Sequence, residues 1–110
     1  MFTYSNLIFG RPRSLIDISP YKFDKPGGAG CPEHTWVAPV PDRYRGKYRD
    51  CDHAEEEELG KLYAGEVEQI LTRMSAKGRK PSAFFAESLQ SCGGQVIFPD
   101  NYLREVRTSF

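Results

Sequence analysis

The chain has 110 residues with 15 basic and 15 acidic side chains, so its formal net charge is zero. That length holds one small domain at most, and 39% hydrophobic with 27% charged residues is a globular rather than a disordered composition. The neutral balance gives no electrostatic drive toward nucleic acid or an acidic membrane, and no apolar run approaches the ~20 residues that span a bilayer.

In chain order, residues 1–13 show no clear hydrophobic period. The first sixteen residues contain Arg11 and Arg13 but no acid, a faint likeness to a mitochondrial leader. The segment Ser14 to Ser19 runs into Pro20, which biases the residue before it away from helix. Pro26-Gly27-Gly28-Ala29-Gly30 reads as a flexible loop. Thr35-Trp36-Val37-Ala38, closed by Pro39 and Pro41, reads as a brief strand, and residues 42–53 as a polar loop. Arg43, Arg45, Lys47 and Arg49 cluster there, interleaved with Tyr44 and Tyr48. A phosphate-facing patch competes at this place with a plain solvated loop.

The most legible element is a helix from about Ala54 to Lys77. Leu59, Tyr63, Val67, Ile70, Leu71 and Met74 fall within roughly 120° of arc at 100° per residue, a single buried stripe. Glu55 to Glu58 sit at the end where the macrodipole favours negative charge, and Gly78 suits a left-handed cap. The four glutamates are read as a solvated helix start rather than a metal cluster. Pro81-Ser82-Ala83-Phe84-Phe85-Ala86 lacks alternation, which suits a central parallel strand covered on both faces. Strand, helix and strand then imply a right-handed crossover. Gln95 to Pro99 leads to Asp100, the expected N-cap of a helix beginning near Asn101. The fold class expected is α/β, a strand–helix–strand core with a mainly parallel sheet.

Cys31, Cys51 and Cys92 are too few and too scattered for a disulfide framework, and a reducing compartment fits them. Cys51 and His53, with Cys31 and His34 upstream, allow a zinc site to be drawn, but the spacing matches no common template and no metal is expected.

In open α/β sheets ligands bind beyond the carboxyl ends of strands. Glu87 lies at that edge if the strand stands, and the small residues after it let backbone approach a ligand. Gly93-Gly94 serves either such a pocket wall or a simple turn.

The segments Ser14 to Phe23, Val37 to Arg49, Gly78-Arg79-Lys80 and Ala83 to Gln95 closely resemble the phospho-lyase branch of the class III, pyridoxal-phosphate-dependent aminotransferase family. The resemblance spans about residues 14–103, with residues 1–13 and 104–110 diverging at either end. It implies an incomplete piece of the large domain of a fold-type I enzyme. Such enzymes bind the cofactor through a lysine Schiff base. They eliminate phosphate from a small phosphorylated amine such as phosphoethanolamine or 5-phosphohydroxylysine. By family position Glu87 is cofactor-proximal, with Ser91 and Gly10 as further candidates. Cys92 stands on the substrate side, where aminotransferases of the family often carry a second glutamate. The family's Tyr-His-Gly-His is here Ile8, Phe9, Gly10 and Arg11, so ring stacking on the cofactor is not carried over.

None of Lys22, Lys25, Lys47, Lys61, Lys77 or Lys80 sits in the family's lysine motif. No catalytic residue is therefore expected within this span, which alone is expected to be inactive. The resemblance also implies homo-oligomerisation and a mitochondrial setting, with the cytoplasm as alternative. Two other functions stay open. One is a non-catalytic interaction fragment pairing with a full-length relative through exposed sheet edges. The other is a phosphate-binding module using Arg43, Arg45 and Arg49.

Overall fold

The computed structural model describes residues 2–4, 16–52 and 56–110, with side chains from 16–52 and 57–110. In order the elements are β1 (Phe2–Tyr4), α1 (Pro20–Phe23), β2 (Trp36–Ala38), α2 (Glu56–Ala76), β3 (Leu89–Gln90), β4 (Val96–Ile97) and α3 (Tyr102–Ser109). β1 and β2 pair in parallel, with Thr3 opposite Val37, and β3 and β4 form an antiparallel hairpin. β1 falls where the sequence shows no period, and it becomes a strand through its ladder with β2.

α2 organises everything else. Leu59, Tyr63, Val67, Ile70 and Met74 are buried as the stripe demands, with Ala64 beside them and Leu71 half-buried against the cluster. Ala38 of β2 and Tyr102 and Val106 of α3 complete that core. The helix closes as expected. Gly78 takes φ +67°, its N–H bonds to Ser75 O at 2.9 Å, and Arg79 N–H reaches Met74 O at 3.0 Å. This is the Schellman pattern that satisfies the last carbonyls. The expected start at Ala54 and Glu55 lies outside the described residues.

Where α2 meets α3 the helices come very close. A methyl group on Gly60 would overlap the Asp100 carbonyl oxygen, so no side chain fits there. The N-cap of α3 is Asn101, at φ 64° and without a side-chain cap bond, rather than Asp100. Asp100 is displaced from the capping role because its carbonyl sits against Gly60, and Asn is among the residues that tolerate the left-handed conformation this approach requires.

The strand expected over Pro81–Ala86 is a correction. Within the run only Phe84 makes a bridge, and Ser82 and Ala86 are exposed. A strand exists through its ladder, Pro81 has no N–H to give one, and burial on both faces is not achieved. Phe84 and Phe85 instead lean on the core half-buried, with the Phe84 ring 5.7 Å from that of Phe110. Among the described residues the strands accordingly form two separate two-stranded sheets, one a parallel pair and one an antiparallel hairpin. Among the described residues no helix is long and apolar enough to cross a membrane, and no group of three or more His, Cys, Asp or Glu gathers for a metal. His53 of the paper zinc set lies outside the described residues.

Candidate functional site

The polar loop after β2 is built, not merely solvated. Tyr63, inside the apolar stripe of α2, carries a hydroxyl that must find partners once buried. It donates toward Asp42 O at 2.8 Å and Tyr48 O at 3.0 Å, and it accepts from Tyr48 N–H at 3.2 Å. Burial pushes the Tyr63 phenol above its ordinary value. One turn along, Glu66 accepts from Tyr48 Oη at 2.7 Å and from Lys47 Nζ at 2.6 Å. The bonds from Lys47 and Tyr48 hold its carboxyl below the usual range, and the Glu66 bond raises Lys47. Gly46 lies beneath this clamp, where a methyl would overlap both the Tyr63 hydroxyl and the Asp42 carbonyl.

The same loop fixes its arginines unequally. Asp42 Oδ1 accepts from Tyr44 N–H at 2.8 Å and Arg45 N–H at 3.0 Å, an Asx turn that sets the backbone. Arg43 Nε pairs with Asp50 at 3.0 Å, and Arg49 Nε with Asp52 at 2.9 Å. Arg45 is exposed and has no ion pair among the described residues. Two of the three phosphate-patch candidates are thus neutralised by acids seven and three residues away.

The hairpin carries the other candidates. Glu87 lies three residues past the Phe84 bridge and two before β3, so it stays at a sheet margin, that of the hairpin. Its Oε2 accepts from Ser91 N–H at 3.3 Å, and Ser91 Oγ from Gln95 Nε2 at 3.1 Å. Gly94 at φ +116° and Gln95 at φ +59° turn the chain, both N–H groups directed to Ser91 O at 3.2 Å. Gly93-Gly94 lies in a turn, and Gly94 also borders a groove described below. Cys92 is exposed on it, within electrostatic reach of the Tyr21 phenol. Lys25 sits 3.6 Å over that ring and lowers the phenol's pKa. Gly10 lies outside the described residues.

Sequence reasoning missed Gln90. It is fully buried, and neither Nε2 nor Oε1 has a partner among the described residues. An alternating hairpin with Leu89 and Ile97 facing out was the available signal, since it forces Gln90 in.

Two cavities bear on function. One of about 550 Å³ lies between α1 and the glycine loop, bordered by Asp17, Lys22 and His34, and no candidate residue lines it. The other, an open groove of about 340 Å³, runs between the arginine loop and the hairpin. Arg43, Arg45 and Asp50 form one wall and Gly94 to Ile97 the other. Fold thereby joins two features that lie about fifty residues apart in sequence. Glu87, Ser91 and Cys92 line neither cavity.

No protein-family model matches the chain. An alanine–glyoxylate aminotransferase 2-like protein of Drosophila melanogaster is 42% identical over 106 residues, 96% of this chain. Ethanolamine-phosphate phospho-lyase homolog 1 of Caenorhabditis elegans is 41% identical over 104 residues, 90% of it. The matched span is that of the class III aminotransferase and phospho-lyase family. A solved transaminase structure superposes with a TM-score of 0.72 at 21% identity over 98% of the chain, which gives the fold: a piece of a fold-type I enzyme. The chain spans only 21–22% of the length of these relatives and 24% of the solved chain. Aminotransferases of this family use pyridoxal phosphate. Of the residues that the resemblance puts near such a cofactor, Glu87 and Ser91 share one turn, and between them Gln90 carries a buried amide with no partner among the described residues. Of the lysines, Lys47 is held by Glu66, while Lys22 and Lys25 stand over Tyr21 and Lys77 over Trp36.

Proposed function

We propose that this chain is part of a phospho-lyase-like enzyme that eliminates phosphate from a small phosphorylated amine, and that the span alone is inactive. The observation that carries the reading is the 41% identity to the phospho-lyase homologue along 90% of the chain. Bound pyridoxal phosphate would supply an electron sink. In this reading the chain's own residues act by placement. Glu87, held by the Ser91 N–H, and Ser91 border the cofactor, and exposed Cys92 leaves the substrate side without a second carboxylate. Homo-oligomeric assembly and a mitochondrial location belong to the same proposal.

The test is direct. Purified chain incubated with pyridoxal phosphate is expected to give no stoichiometric Schiff-base absorbance and no single borohydride-trapped lysine. One trapped lysine at full occupancy overturns the inactivity of the span. A longer protein containing this sequence is expected to release phosphate from phosphoethanolamine or 5-phosphohydroxylysine; transamination without phosphate release overturns the lyase reading.

A second reading is favoured by the outward apolar pair Leu89 and Ile97, 41% and 65% exposed. In it the chain is a non-catalytic fragment that pairs with a full-length relative. Co-purification that Ile97→Asp abolishes supports it, and no co-purification removes it.

A further inference from the structure

We infer that Gln95 is a positioning residue: from the end of the hairpin turn it fixes Ser91 and, through Ser91, the carboxylate of Glu87. The inference rests on the reading of Glu87 and Ser91 as cofactor-bordering residues and deepens it. Gln95 holds φ 59°. Among the described residues Asn101 is the other non-glycine residue with positive φ. Asparagine tolerates that region through its short polar side chain, and Asn101 makes no side-chain cap bond. Glutamine has no such allowance, and glycine would take the turn without strain. A strained residue persists where its surroundings fix it, and here the surroundings are Ser91.

Ser91 is tied at each of its polar heavy atoms. Its carbonyl accepts from the Gly94 and Gln95 N–H groups, both at 3.2 Å. Its Oγ accepts from Gln95 Nε2 at 3.1 Å, and its N–H donates to Glu87 Oε2 at 3.3 Å. Gln95 thus grips Ser91 twice, by main chain and by side chain, and the Ser91 backbone hands the constraint on to Glu87. Ser91 and Gln95 are exposed, so each bond alone is weak in water. Orientation comes from the three residues acting together.

The result is a carboxylate with one oxygen tied and no partner on the other among the described residues. A group set in place before its ligand arrives does not have to be ordered at the moment of reaction. Gln95 is also the member of this network that borders the groove, beside Gly94 and across from Arg43 and Arg45.

The test has two parts. In the 110-residue chain, water-exchange NMR reads the protection of the residue-91 N–H. Gln95→Gly, which takes the left-handed backbone freely, is expected to keep the cooperative melting of the parent and to lower that protection several-fold. Gln95→Asn, tolerant of the same φ but one methylene short of Ser91, should behave alike. Ser91→Ala should also lower it, and adding Gln95→Gly should change nothing further, because the two share one bond. Asn101→Gly should leave the protection as it was. In a longer protein containing this sequence, Gln95→Gly is expected to lower kcat about tenfold with KM little changed. Undiminished protection in both Gln95 variants, additive effects in the double variant, or an unchanged kcat overturns the positioning role. Transamination by the parent without phosphate release overturns the lyase reading alone: the protection results stand, and the kcat comparison is then made on transamination.

Discussion

The clamp on α2 and the β3–β4 hairpin treat polar groups in opposite ways. At the clamp, the one hydroxyl in an apolar stripe is satisfied on three sides, and Glu66 beside it holds two donors. At the hairpin, a carboxamide is sealed inside with no partner among the described residues, while Leu89 and Ile97 face solvent. The first region is complete within this chain. The second is arranged inside out, as a hairpin covered from outside by further protein would be. Glu87, Ser91 and Cys92, the residues proposed to face cofactor and substrate, all belong to the hairpin side.

That contrast is breakable. The largest effect is expected at Val67→Asp, which buries a charge in the shared core and should cost about 4 kcal/mol, enough to abolish a cooperative thermal transition. Next comes Tyr63→Phe. Removing the hydroxyl strands Tyr48 N–H and two carbonyls, and denaturant unfolding should show a loss of about 1–2 kcal/mol. The hairpin should respond with the opposite sign. Gln90→Leu removes an unpartnered amide and is expected to raise stability by about 1 kcal/mol, where a decrease would show that the amide is satisfied.

The smallest effect concerns acid. Glu66 is depressed in the folded state, so its contribution is present above the unfolded value of 4.5 and is lost as pH falls through the lower folded value. Glu66→Gln should flatten the stability curve below about pH 4.5 and leave it unchanged in shape near neutrality, as read by urea midpoints across pH.

Much of the clamp's scaffold was legible. Six stripe positions located α2, and Gly78 marked its end, because period and cap chemistry are local. Thr35 to Ala38 likewise contained the strand Trp36–Ala38. What failed was non-local. Phe84 and Phe85 read as a central strand, but whether an apolar run becomes one depends on neighbours that offer a ladder. Residues 42–53 read only as a polar loop because their anchors, Tyr63 and Glu66, lie far along the chain. A tyrosine within an otherwise apolar stripe was the usable hint that a buried phenol needed company. At the site, charge count alone placed three arginines on one footing. Pairing with Asp50 and Asp52 sets Arg45 apart, and pairing is geometry.

Gly60 has one more consequence. The depth at which the terminal helix beds into the longer one is set by the absence of a single methyl. That position therefore acts as a notch: α3 slots home only over bare backbone. Growing the notch residue by one carbon would lever α3 outward and bare Tyr102 and Val106 together, leaving the rest of the long helix with its grip on the arginine loop.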